Sequence, residues 1–291
     1  MITFEAISFE RQKEYLNLLS LSNISASDYS FINLWGWAEE YGLTWAWDGD
    51  LVWIRQSRPE QCLWSPIGLL DRIPWTALFN DPFLTSLPFS RVPEEVLNLW
   101  SAALPGRVEA QEDRGQWDYL YSVSELVELP GKRFHSKKNL LNQFKKKYSY
   151  SYRSIETPLI KSVLDMQEDW CAWRDCESVD LLASENRCIS RVMAAWKELA
   201  GITGAAIHVD GRPVAFTVAE RFKDDVILIH FEKGMHEYTG IYQAINQMFL
   251  EQNRHIPHVN REQDLGDEGL HRAKLSYNPT GYVRKYRVRI S

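Results

Sequence analysis

Between Ile202 and Val259 the sequence changes its period in a fixed order, and this order narrows the choice of fold more than any other feature. Ile202–Val209 and Val214–Ala219 are β-rich runs joined by Asp210-Gly211, a hairpin turn. Val226–Glu232 reads as a third strand, and a loop then leads to Thr239-Gly240. After that break Ile241, Ala244, Ile245, Met248 and Phe249 share one helical face. A short strand about Val259, a short helix from Asp267 and a closing strand, Val283–Ile290, complete the series. A strand that runs into a helix N-terminus leaves backbone N–H groups for a ligand, and with the helix dipole these favour phosphate. Thr239 and Gly240 stand at that junction, where a glycine lets the backbone approach a ligand closely.

Ahead of this series the periodicity predicts helices over Phe134–Tyr148, Leu159–Trp173 and Ser184–Leu199. The first half of the chain differs in composition, holding nine of the twelve tryptophans before residue 118. It reads as a strand at Thr3–Ile7, a helix from about Phe9, and a second helix carrying Phe31, Leu34, Trp35 and Ala38, capped by Ser27 or Asp28. Two β-rich runs joined by Asp48-Gly49 follow, then a strand near Cys62–Ile67 and a helix near Pro93–Ala103. Its aromatic residues are expected to be core. The Pro130-Gly131 breaker predicts a boundary between domains 1–130 and 131–291.

Charge is unevenly spread. The formal net is −6, yet Leu129 to Ile155 contains no Asp or Glu and holds Lys132, Arg133, Lys137, Lys138, Lys145, Lys146, Lys147 and Arg153. Such a segment is either an anion site or a solvated helix face. Tyr148, Tyr150 and Tyr152 interleave it, a pattern compatible with nucleic acid and also with one face of a strand. No apolar run approaches the ~20 residues that span a bilayer, and no secretory leader is visible, so the expected location is cytoplasmic. Cys62, Cys171, Cys176 and Cys188 form no Cys-x-x-Cys pair and are expected to be reduced, with Cys171 and Cys176 on different sides of one helix. A metal site built from His255, His258 and these cysteines is an alternative; the favoured expectation is no metal.

Asn260 to Tyr277 is dense in polar residues between a β run and a helix. Asp267 is placed to cap that helix, and Leu270, Ala273 and Tyr277 define its apolar face. Lys274, at the edge of this face, needs an anionic partner: Asp264 or Glu262 within the chain, or a bound phosphate or carboxylate. His271 lies three residues before Lys274 and is able to join either arrangement.

Ser27-Asp28-Tyr29-Ser30-Phe31-Ile32-Asn33-Leu34-Trp35, Leu129 to Arg133 with Lys137-Lys138-Asn139 and Phe144, Phe231-Glu232-Lys233, and Asn260 to Tyr277 with Pro279 together resemble a bacterial family, the domain of unknown function 2156. That family is similar to the C-terminal domain of phosphatidylglycerol lysyltransferases and is related to Fem-type peptidyl transferases. The element order is that of a GNAT domain. The resemblance therefore implies an α/β (α+β) protein of two tandem GNAT-like domains, each a mixed central sheet flanked by helices. Two positions depart from the family pattern: His271 stands where Arg is expected, and Lys137-Lys138 where Lys-Arg is expected; His lacks the permanent charge and planar fork of Arg.

Three functions follow as expectations. The first is direct transfer of an acyl or aminoacyl group to an amine or hydroxyl, with aminoacyl-tRNA or acyl-CoA as donor co-substrate and no tightly bound cofactor. The acceptor is expected to be a small molecule, peptide or lipid. Glu232 and Asp264 are the candidate bases and Lys274 a catalytic counter-charge. Lys137, Lys138, Lys233, Thr239, Gly240, Arg261, His271 and Arg272 are the expected donor-binding set. No nucleophile elbow or Cys-His signature is present, which favours transfer without a covalent enzyme intermediate. The second function is binding of tRNA or another polyanion without catalysis, and the third a degenerate transferase acting as an interaction subunit.

Overall fold

The computed structural model describes residues 2–291. In chain order the elements are β1 (Glu5–Ala6), α1 (Gln12–Leu21), α2 (Phe31–Tyr41), β2 (Thr44–Asp48), β3 (Leu51–Gln56), β4 (Cys62–Gly68), α3 (Trp75–Leu78), α4 (Pro82–Ser86), β5 (Phe89–Pro93), α5 (Glu94–Ala103) and β6 (Val108–Glu112). Then follow β7 (Asp118–Ser122), α6 (Val123–Glu128), α7 (His135–Lys147), β8 (Tyr150–Ser154), α8 (Thr157–Arg174), α9 (Asp180–Ala194), β9 (Ile202–Val209) and β10 (Arg212–Lys223). Last come β11 (Val226–Gly234), α10 (Ile241–Gln252), β12 (His258–Asn260), α11 (Glu268–Leu275), β13 (Gly281–Val283) and β14 (Lys285–Ile290).

The strands form two seven-stranded sheets, ordered β1-β2-β3-β4-β5-β14-β6 and β8-β9-β10-β11-β12-β7-β13. Position by position the two orders match. Each sheet has an antiparallel run of three strands (β2-β3-β4, β9-β10-β11) followed by a parallel neighbour, β5 beside β4 and β12 beside β11. The sixth position is filled by exchange: β7 closes the second sheet, and β14, at the end of the chain, enters the first between β5 and β6. The fold is thus α+β, with two mixed sheets of one topology. No sequence repeat announces this, because strand order is a property of long-range pairing.

By contact the chain divides into one unit of Met1–Asp118, Gln263–His271 and Tyr282–Ser291, and another of Tyr119–Glu262 and Arg272–Gly281. The sequence-based boundary at 130/131 therefore lies inside the second unit, after α6. The predicted closing strand is in fact two strands, β13 and β14, in different sheets.

In the first unit α2 is capped by Ser30, whose hydroxyl accepts from Asn33 N at 3.3 Å, and ends at Gly42 in the left-handed region, φ 57°. This corrects the expected cap at Ser27 or Asp28. Those two residues instead form a buried polar centre. Asp28 receives Arg91 and Lys285; Asp118 accepts Lys285 Nζ at 2.6 Å, and Ser27 N and Oγ at 2.8 Å each. Lys285, fully buried, belongs to β14, so the exchanged strand is anchored by an ion cluster as well as by its ladder. Trp45, Trp53, Trp64, Trp75 and Trp100 are core as expected, while Trp35, Trp37, Trp47 and Trp117 are half-buried; Trp45 stacks on Tyr15, and Trp100 meets Phe79, Phe89 and Trp75 edge-on. Cys171 and Cys176 are joined by a disulfide, against the reduced state expected. Helix α8 stops at Arg174, and Asp175 in the left-handed region turns the chain back, so the two thiols do not share a continuous helix. Cys62 and Cys188 are buried free thiols.

Candidate active site in the second unit

Strands β11 and β12 run parallel only over Val226–Leu228 and His258–Asn260. β11 continues to Gly234 with no partner on that side from β12, and the chain beyond Asn260 turns away, Asn260 Oδ1 accepting from Glu262 N at 2.8 Å. Helix α10, the connection between these strands, starts after β11. A parallel pair that parts at its carboxyl ends beside a helix N-terminus is where open α/β sheets place ligands.

At this divergence Glu232 of β11 faces Arg261, the first residue past β12. Glu232 Oε1 accepts from Arg261 Nη2 at 2.8 Å and Oε2 from Asn246 Nδ2, on α10, at 3.2 Å. Both side chains are largely withdrawn from solvent, 7% and 16% exposed. The guanidinium lies 4.9 Å from the Tyr277 ring and 5.8 Å from that of Tyr121. Tyr277 Oη accepts from Gln243 Nε2 at 3.0 Å, and Lys137 Nζ of α7 stands 4.2 Å from the same ring. Burial alone would ease deprotonation of Arg261, but the Glu232 carboxylate outweighs it and raises the guanidinium pKa. Burial raises the Tyr277 phenol. Lys137 moves the other way: burial, then the nearby Arg261 charge, lower its pKa. Arg261 thus holds the Glu232 carboxylate, and among the described residues no acid pairs with Lys137.

The remaining predicted residues take other places. Lys274 Nζ donates to the carbonyls of Arg261 and, at 3.1 Å, of Glu262. These are neutral oxygens, which the loop turns toward the helix. Asp264 and His271 belong to the first unit. Buried Asp264 accepts from Gly266 N at 3.0 Å and pairs with His271 Nδ1 at 2.8 Å, which organises that loop. Lys233, on the strand face opposite Glu232, donates to Glu185 at 2.6 Å beneath the Trp170 ring. Lys138 and Arg272 are exposed.

Thr239 N donates to Tyr148 Oη at 3.3 Å. Gly240 precedes α10 at φ 84°, and a Cβ there would stand 2.1 Å from the Leu140 carbonyl oxygen of α7. Contact with α7 therefore gives this glycine a structural reason of its own. Of the lysines along α7 only Lys137 turns inward; Lys138, Lys145, Lys146 and Lys147 are exposed.

Sequence reasoning missed Tyr121, Gln243 and Asn246. Asn246 was detectable as a polar residue among the buried positions of α10, since a buried amide there must find a partner. The described residues hold no group of three or more His, Cys, Asp or Glu arranged for a metal ion. A cavity of about 230 Å³ in the first unit, lined by Leu21, Ile24, Leu69, Leu70, Val96 and Leu99 among others, contains none of the candidates. No described helix is long and apolar enough to cross a membrane.

Residues 20–289 match the family described as phosphatidylglycerol lysyltransferase, C-terminal, and the chain belongs to that family. A conserved protein of unknown function from Bacteroides thetaiotaomicron is 30% identical over the whole of both chains, with a TM-score of 0.89. FemX shares the fold at a TM-score of 0.65 and 7% identity, over 99% of this chain and 97% of its own. An uncharacterised protein of Mycoplasmoides gallisepticum is 23% identical over 181 residues, which are 60% of this chain. The match spans 56% of that curated relative's length.

Proposed function

We propose that this member of the phosphatidylglycerol lysyltransferase C-terminal family transfers an acyl or aminoacyl group from aminoacyl-tRNA or acyl-CoA directly to an amine or hydroxyl. The observation that carries the reading is the Glu232–Arg261 pair at the divergence of β11 and β12, beside an uncompensated, half-buried Lys137. In this reading Glu232 takes the proton of the acceptor N–H or O–H as that atom attacks the donor carbonyl. Arg261, held against Glu232 through Nη2, presents its other N–H donors to the carbonyl oxygen, where negative charge develops. The new acyl–N or acyl–O bond forms, the bond to the donor's ribose oxygen or thiol sulfur breaks, and the proton passes from Glu232 to the leaving atom. Lys137 supplies the counter-charge for a donor phosphate. Lys274 and Asp264 act at one remove, each fixing a loop. The donor is a co-substrate, with no tightly bound cofactor, and a small molecule, peptide or lipid is the acceptor class.

Radiolabelled aminoacyl-tRNA and acyl-CoA, each offered with a panel of amines and hydroxyl compounds, test this. Turnover with one donor class is expected; none with any donor contradicts the reading. The exposed lysines of α7 favour a second one, retention of tRNA without chemistry. Binding would then weaken steeply with salt, following the number of phosphates contacted.

A further inference from the structure

Close to this site, the proposed chemistry leaves unused the buried Glu220 and His230 and the partly buried Glu262. His230 is the extra residue of a β-bulge. Val218 of β10 pairs with Phe231 and Ala219 with Ile229, so no β10 residue stands opposite His230. Bulges re-aim a side chain and recur beside functional sites. This one leaves the His230 imidazole wholly buried between two carboxylates. Its Nδ1 is 2.9 Å from Glu262 Oε1, and its Nε2 is 3.2 Å from Glu220 Oε1, the second approach being the less well aligned. Glu220 sits on β10; Glu262 follows Arg261 directly.

The Arg261–Glu262 segment is held in an unfavourable shape. Glu262 has φ 57°, a left-handed conformation that a non-glycine residue keeps only where its surroundings impose it. Asn260 Oδ1 fixes its N–H, Tyr119 N donates to its carbonyl at 3.2 Å, and Lys274 bridges the carbonyls of Arg261 and Glu262. Those contacts hold the backbone; His230 holds the side chain. A neutral imidazole carries one N–H and can donate to only one of the two carboxylates that flank it, whereas the protonated ring turns an N–H toward each.

We infer that His230 is a positioning residue: as an imidazolium bridging Glu220 and Glu262, it locks the loop after β12 so that the Arg261 guanidinium stays on Glu232. The inference rests on the reading of Glu232 and Arg261 as the reacting pair only for its catalytic consequence; the lock itself is a property of the ligand-free protein. Burial would lower the His230 pKa, but the hydrogen bonds to Glu220 and Glu262 override it and raise it to about 9. Glu220 from β10 and Glu262 from the loop are the charged groups that face the ring. The lock therefore holds at neutral pH and opens as pH rises through about 9.

The test needs no substrate, so its failure and that of the transferase reading are separable. Ring-nitrogen NMR of histidine-labelled protein should show one histidine with both nitrogens protonated at pH 7, titrating near pH 9 and absent from His230→Gln. A neutral His230 at pH 7 overturns the inference. Phenylglyoxal modification of Arg261, followed by mass spectrometry, reads the lock. The parent should be protected at pH 7 and lose protection as pH rises past about 9. His230→Gln and the milder Glu262→Gln should react about tenfold faster at pH 7, the factor that ~1.4 kcal/mol of lost positioning gives, with little further acceleration at high pH. Equal rates in parent and Glu262→Gln, or parallel pH profiles in all three, overturn it even if His230→Gln fails to fold.

Discussion

Replacing Lys285 by Met isolates the ion cluster that anchors β14 in the first sheet. The ammonium is fully buried and serves two carboxylates, Asp28 and Asp118. After Lys285→Met, Asp28 keeps Arg91, whereas Asp118 loses its ammonium and keeps the neutral N–H and O–H of Ser27. Breaking a buried pair from one side costs about 3–5 kcal/mol, and the apolar stem of Lys is already buried, so Met recovers little. A loss of about 3 kcal/mol follows, or a fall of ~1–2 M in urea midpoint at a slope of ~2 kcal/mol/M. Tryptophan fluorescence is the natural probe, because nine of the twelve indoles precede residue 118. Two controls give the reasoning its edge. Asp118→Asn added to Lys285→Met removes the charge that lost its ammonium and should return at least half the loss. Acid should also narrow the gap. Burial raises the Asp28 carboxyl, but Lys285 and then Arg91 outweigh it and hold it below the usual carboxylate range. Its contribution is present above the unfolded value of about 4 and is lost as pH falls through the lower, folded value. The parent has more of this to lose than the variant. A cost under ~1 kcal/mol, or a double variant no better than the single, would refute the argument.

Gly240→Ala should destabilise the chain by about 2–4 kcal/mol in the absence of any ligand, from the left-handed φ and the Leu140 carbonyl 2.1 Å from the new Cβ. An unchanged melting temperature would return this glycine to a ligand role. Lys137→Gln should weaken binding of inorganic pyrophosphate about tenfold by calorimetry, while Lys145→Gln, exposed on the same helix, changes it less than about twofold; equal losses would make the attraction a general surface effect. Thiol titration of the denatured, unreduced protein should find Cys62 and Cys188 and not Cys171 or Cys176. Four reactive thiols would restore the reduced state expected from the sequence.

Much of the fold was legible where the signal is local. Asp48-Gly49 and Asp210-Gly211 mark real hairpins, and the apolar faces of α7 and α10 set those helices within a residue or two. β6 was not legible: Val108–Glu112 is mainly exposed and polar, and only its pairing with β14 makes it a strand. Nothing local to Lys285–Ile290 says that its partners are β5 and β6, so the exchange that shapes both sheets is invisible in the sequence. Glu232, Arg261 and Lys137, all named from the sequence, lie together at the divergence of β11 and β12. Which partner each takes was not readable. Lys274 satisfies carbonyls, Lys233 takes Glu185, and Asp264 serves its own loop. Ser27 and Asp28 looked like helix caps because a cap and a buried ion anchor use the same side chains, and only the distant Lys285 separates them.

Acyl transfer by Glu232→Gln and Arg261→Lys, beside the parent, tests the central claim most directly once a donor is in hand. Gln keeps the volume and an acceptor oxygen for Arg261 but cannot take the acceptor's proton, so kcat should fall by about 10²–10⁴ while donor KM stays within about threefold. Arg261→Lys should lose at least about tenfold in kcat, since an ammonium lacks the planar fork. A Glu232→Gln protein that turns over within about threefold of the parent would contradict the assignment.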